Sequence, residues 1–71
     1  MDATQLRMIR TALGLSQAEA ARLLGVDSRT WRRWEAEERA IPEPVARLLL
    51  LLEAMPKAVV QLEQIARASR R

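Results

Sequence analysis

The sequence predicts an all-α protein, a bundle of five helices, on three observations. Apolar residues recur at i, i+3, i+4 and i+7 along most of the chain. At two of the places where such a stripe begins, Asp or Ser stands three residues ahead of Gln or Glu. Glycine or proline interrupts the stripes at the lengths of short helices. The chain has 71 residues, the size of one small domain over 1–71, with no internal repeat and no low-complexity block.

The first helix is expected from Asp2 to about Leu13. Asp2 and Gln5 have capping-box spacing, Leu6, Ile9 and Leu13 form the stripe, and Gly14 is a natural left-handed stop. Arg7 and Arg10 lie on this helix. The second starts at the box Ser16–Glu19 and presents Ala20, Ala21, Leu23 and Leu24 to one side. Gly25 ends it. Gly25-Val26-Asp27 is a turn of the length that joins the two helices of a helix-turn-helix. Asp27 is expected to cap the third helix through the N–H groups of Ser28 to Thr30.

That third helix has two unlike sides. At about 100° per residue, Ser28, Arg29, Arg32 and Arg33 fall within roughly 140°, and Trp31 and Trp34 lie together opposite them. A forked guanidinium suits phosphate oxygens and the paired acceptors O6 and N7 of guanine. Residues 37–43 read as a loop holding Pro42. Pro44 is placed as the first residue of the fourth helix, Pro44 to Met55. Its apolar face is expected to be Val45, Leu48, Leu49, Leu52 and Met55. Leu50 points away, because five consecutive leucines cannot all face one small core. Pro56 is expected to open the fifth helix, to about Ala68, with Ala58, Val59, Leu62, Ile65 and Ala66 as its stripe. The tail Ser69 to Arg71 is expected to fray.

Composition excludes several kinds of chemistry. There is no Cys and no His, which removes disulfides, thiolate or imidazole metal ligation and imidazole acid–base catalysis. No glycine loop to cradle phosphate and no carboxylate cluster with metal spacing is present. The chain is therefore expected to be no enzyme and to need no cofactor or metal. The net charge of +3 is modest, so its placement matters more than its sum. Three positive and no negative residues lie between 29 and 33. With a polar, charged N-terminus and a longest apolar run of Leu48 to Leu52, the expectation is a soluble cytoplasmic protein, on the nucleoid when bound to DNA.

The stretch LGLSQAEAARLLGVDSRTWRRWE, Leu13 to Glu35, resembles the lambda repressor/Cro (Cro/C1) type of helix-turn-helix, the XRE-like family. It shares the Leu-Gly-Leu-Ser-Gln start, the Ala-x-x-Leu-Gly-Val core and the Trp-Glu close, in a likeness covering about residues 5 to 55. The resemblance implies a helix-turn-helix core over 16–36 and a third helix that enters the major groove. Ser28, Arg29 and Arg33 match base-reading positions, and Arg32 shares their face. Gln17 matches a phosphate grip that also braces the reading helix. Arg39, Thr30 and Arg10 are further phosphate candidates. Arg10 and Glu35 match a pair that ties the first helix to the end of the third. The family usually carries Gly where this chain has Glu37, so the third helix is expected to run on to Ala36 or Glu38.

Each of these readings has a plainer alternative. The arginines make a solvated cationic face, Gln17 an exposed first-turn residue and Arg39 a free side chain. Trp31 and Trp34 pack as core instead of stacking on bases. Leu50 is a lone exposed leucine, or else a contact with the fifth helix or another subunit. The expected function is a sequence-specific DNA-binding regulator, a homodimeric and self-controlling repressor on an inverted repeat of double-stranded DNA. Helices 44–55 and 56–68 would pack and dimerise through Leu50, Leu51, Val59, Leu62 and Ile65. Similar stand-alone proteins occur in phages and mobile elements as Cro-like repressors, antitoxins and regulators of anti-CRISPR operons. The alternative is an antitoxin-like module whose leucine-rich C-terminal helices bind a partner protein.

Overall fold

The computed structural model describes residues 1–69. For Arg70 and Arg71 the fraying expected of the tail lies outside the described residues. Five helices follow one another, α1 (Ala3–Ala12), α2 (Gln17–Leu24), α3 (Ser28–Glu35), α4 (Glu43–Ala54) and α5 (Ala58–Ala68), and no strand occurs among the described residues. The Cα radius of gyration is 11.4 Å, close to the ~11 Å of a packed chain this long. No helix of the described residues is long and apolar enough to cross a membrane.

The starts of α1 and α2 follow the local chemistry. The Asp2 side chain accepts the Gln5 N–H at 2.8 Å. Ser16 and Glu19 complete a reciprocal box, at 3.0 Å from the Glu19 N–H to Ser16 Oγ and 2.8 Å from the Ser16 N–H to Glu19 Oε1. Asp27 takes the N-cap backbone conformation of α3 but makes no side-chain cap bond. The expected cap is therefore a position without its bond, because the exposed carboxylate is left to solvent.

The ends are alike in α1, α2 and α3. In each, a left-handed residue lets two N–H groups fold back onto the last turn. Leu15 N–H reaches Arg10 O and Gly14 N–H reaches Thr11 O. Val26 N–H reaches Ala21 O and Gly25 N–H reaches Arg22 O. Glu38 N–H reaches Arg33 O and Glu37 N–H reaches Trp34 O. Gly14 and Gly25 adopt this conformation at φ +74° and +75°, and Glu37 adopts it at φ +62°. So α3 stops at Glu35 and does not run on, although its left-handed residue carries a side chain. The two returned hydrogen bonds outweigh the steric cost of a Cβ there, about 1–2 kcal/mol.

Two boundaries differ from expectation near prolines. α4 begins at Glu43, with Pro44 second. α5 begins at Ala58 and not at Pro56. Met55 precedes a proline, which disfavours the helical conformation, and it sits at φ −131°, ψ 72°. The chain restarts with i→i+3 bonds, Ala58 N–H to Met55 O and Val59 N–H to Pro56 O. Met55 is consequently 58% exposed, and Ala46 takes a place on the buried face with Leu49 and Leu52.

The core forms where α1, α2, α3 and α4 meet. Leu6 and Ile9 come from α1, Ala20 and Ala21 from α2, Trp31 and Trp34 from α3, and Leu49 from α4. α2 lies against both α3 and α5, and α1 against both α3 and α4. Buried alanines on α2 let α3 approach closely enough to pack its indoles. The indole rings tilt by 56° with centroids 5.6 Å apart, a favourable aromatic arrangement. Truncating the fully buried Trp31 would cost about 3–5 kcal/mol. α5 covers α2 without burying any of its own residues fully.

Candidate nucleic-acid interface

α3 divides its eight residues between core and solvent. Trp31, Trp34 and Glu35 are buried, Ser28 and Thr30 are partly buried, and Arg29, Arg32 and Arg33 are exposed. Among the described residues, no carboxylate pairs with any of these three arginines. The expected reading side is thus open, and the tryptophans are packed away from it as core. The two readings are connected: the indoles determine the roll of the helix, and that roll determines where the guanidinium groups project.

Glu35 anchors the C-terminal end of α3. Its side chain is 2% exposed and carries the one buried charge among the described residues. Arg10 holds it from α1, with Nε donating to Oε2 at 2.6 Å and Nη2 to Oε1 at 3.2 Å. Gln17 Nε2 donates to Oε1 at 3.1 Å from the first turn of α2. Trp31 Nε1 donates to Oε2 at 2.6 Å from one turn back on α3. Arg7 donates to Oε1 through Nε at 3.4 Å, and through Nη2 to the Glu35 carbonyl at 3.3 Å. One carboxylate thereby links α1, α2 and α3. Burial pushes its pKa up, but the hydrogen bonds from Arg10, Trp31 and Gln17 and the Arg10 charge outweigh that, and the group sits below its ordinary 4.5.

The Arg10–Glu35 tie expected from sequence is present. The Gln17, Trp31 and Arg7 bonds to the same carboxylate were not anticipated. The signals were there: a buried indole needs an acceptor, Glu35 lies one turn beyond Trp31, and Arg7 lies one turn before Arg10. Arg10 Nη1 also donates to the Leu15 carbonyl at 2.9 Å. With every nitrogen of its guanidinium engaged and its side chain 14% exposed, Arg10 serves inside the chain as a brace. Gln17 is partly buried at the α2 end of this network. Arg39 is exposed on the loop after α3, at a shallow hollow shared with Met1, Asp2, Trp34 and Ile41.

The five residues expected to dimerise are unevenly covered within the chain. Leu50 and Leu51 are both exposed, as neighbours about 100° apart around α4. Val59 and Leu62 are partly covered within the chain, whereas Ile65 is exposed. Leu62 and Ile65 line an open groove with Leu23 and Leu24 of α2.

Searches of curated proteins and of solved structures gave no match. A family model described as Aca2/YdiL-like matches residues 1–68. The chain therefore belongs to the Aca2/YdiL-like family, a group of small helix-turn-helix-like regulatory domains.

Proposed function

We propose that this chain is a sequence-specific DNA-binding transcriptional regulator, a homodimeric repressor acting on an inverted repeat, with α2, its turn and α3 as a Cro/C1-type helix-turn-helix. The observation that carries the reading is the split of α3: three exposed arginines, unpaired among the described residues, on one side and two buried tryptophans on the other. In this reading Ser28, Arg29, Arg32 and Arg33 enter the major groove. Gln17, Thr30 and Arg39 meet backbone phosphates. A two-fold dimer would set two copies of α3 about 34 Å apart, a separation that suits a protomer 31 Å in its longest extent. Repression follows where the operator overlaps a promoter, the chain's own promoter included.

Selection of bound duplexes from a random pool tests this directly. The expected result is an enriched inverted repeat with half-sites one helical turn apart. No enrichment at low salt, or a preference for single strands, would reject it. A second reading is favoured by the C-terminal helices, where Leu50, Leu51, Met55, Val60 and Ile65 are exposed. A partner protein, as for an antitoxin, would cover them. Its complex would be insensitive to salt, whereas duplex binding weakens steeply with it.

A further inference from the structure

Five side-chain N–H donors converge on the two oxygens of Glu35, three on Oε1 and two on Oε2. A carboxylate offers about four acceptor sites. The donor in excess is identifiable by geometry. Arg7 makes the longest of the five contacts, 3.4 Å, and its side chain is 58% exposed. Arg10 reaches the same group at 2.6 Å and is 14% exposed. The charges are also unbalanced, since two guanidinium groups share one carboxylate. After Arg10 neutralises Glu35, the Arg7 charge is left over at the surface. It converges on the same oxygen atom as Gln17, whose amide lies 3.1 Å from Oε1.

We propose that Arg7 is a phosphate anchor: its guanidinium leaves Glu35 and closes on a backbone phosphate of the duplex, beside Gln17. This rests on the DNA-binding reading above and extends it to α1, a helix whose exposed side was given no role. Departure of Arg7 leaves Glu35 with Arg10, Gln17 and Trp31, which fill its acceptor sites. The brace therefore survives while the surface gains one cation for the nucleic acid. The contact is with phosphate, so it strengthens binding to every sequence alike.

The test measures binding of the full chain to its selected duplex across a salt series, for wild type, Arg7→Gln and Arg7→Lys, together with thermal midpoints. Arg7→Gln is expected to reduce the slope of log K against log salt by about 0.9, the value for one phosphate. That slope amounts to an affinity loss of about eightfold at ~0.1 M salt relative to ~1 M. Its midpoint should stay within about 3 °C of wild type. Arg7→Lys should restore the slope, because it keeps the charge while losing the fork that reaches Glu35 and its carbonyl. A wild-type slope and affinity in Arg7→Gln would overturn the inference and leave the DNA-binding reading standing. So would a large fall in midpoint shared by Arg7→Gln and Arg7→Lys, which would make Arg7 part of the brace. If wild type itself shows no salt-dependent duplex binding, the DNA-binding reading fails and this inference fails with it.

Discussion

Glu35→Ala removes the acceptor on which α1, α2 and α3 converge, and its cost can be worked out donor by donor. Arg10 loses its partner but is long and close to the surface, so its head can turn toward water. Arg7 is nearer the surface still, and Gln17 is partly exposed. Trp31 has no such escape. Its ring is fully buried, and without Glu35 its N–H stays unsatisfied, at about 1–3 kcal/mol. Adding the lost charge pairing and a cavity places the total near ~3 kcal/mol, the lower end of the range for breaking a buried pair. A domain of this size has roughly 4–11 kcal/mol of stability in all. Glu35→Ala should therefore lower the thermal midpoint by at least ~12 °C. Glu35→Gln should do nearly as badly, because its NH2 group meets donors where an acceptor was needed. Thermal melts read the midpoint, and urea unfolding followed by circular dichroism and by the two tryptophans reads the free energy. An unfolding free energy within ~1 kcal/mol of wild type in Glu35→Ala would show that the network does not hold the helices together.

Arg33→Ala should relax preference at one operator position and lose about 1–3 kcal/mol of discrimination there, with an unchanged thermal midpoint; selection of duplexes with the variant checks both. Stability should be flat near neutral pH and fall below about pH 4.5. Glu35 has its folded pKa held below 4.5, so its contribution is complete above its unfolded value and lost as pH falls through the folded one. Glu19 adds to the loss in the same window, since its pKa is lowered chiefly by the Ser16 N–H it accepts. Urea midpoints across pH should show this fall in wild type and a much smaller one in Glu35→Ala. Glu37→Gly should stabilise by ~0.5–1 kcal/mol, because glycine takes the left-handed conformation without the Cβ penalty; a lower midpoint would mean that the Glu37 side chain has a stabilising contact of its own. Light scattering at micromolar concentration should report twice the 8.1 kDa chain, and a single-chain mass would refute dimerisation.

The elements most legible in the sequence were those fixed by local chemistry. Ser16 with Glu19 announces the start of α2, and Gly14 and Gly25 announce two helix ends, because caps depend on residues within one turn. The two sides of α3 were legible for the same reason, since periodicity alone separates Trp31 and Trp34 from the arginines. What stayed hidden depended on tertiary geometry. Glu37 looks like a helix continuation until Glu38 and Glu37 N–H groups are seen closing onto Arg33 and Trp34. The side of α4 that meets the core keeps Leu49 and Leu52, but Met55, before Pro56, is exposed and Ala46 takes a place inside. The convergence on Glu35 involves residues up to 28 apart in the chain; the one-turn spacing points to Trp31 alone, and no local pattern reports that Arg7 and Gln17 share its acceptor.

The arrangement of α3 also governs how its variants should be interpreted. The helix has only eight residues, too few to be stable in water by itself, so its shape is borrowed from the packing of Trp31 and Trp34 and from the Glu35 network. On the proposed DNA-binding reading, a substitution on the packed side would change binding through the orientation of the arginines, with no base contact of its own. Loss of binding in Glu35→Ala or Trp34→Ala is accordingly no evidence of contact. Substitutions on the arginine side remove no buried group, and their effects on binding should appear at constant stability. The ratio of lost affinity to lost stability then sorts the residues of this helix: large for Arg29, Arg32 and Arg33, small for Trp31, Trp34 and Glu35. Arg7 belongs with the first set only if the surplus-donor account is right, which makes it the most informative position outside α3.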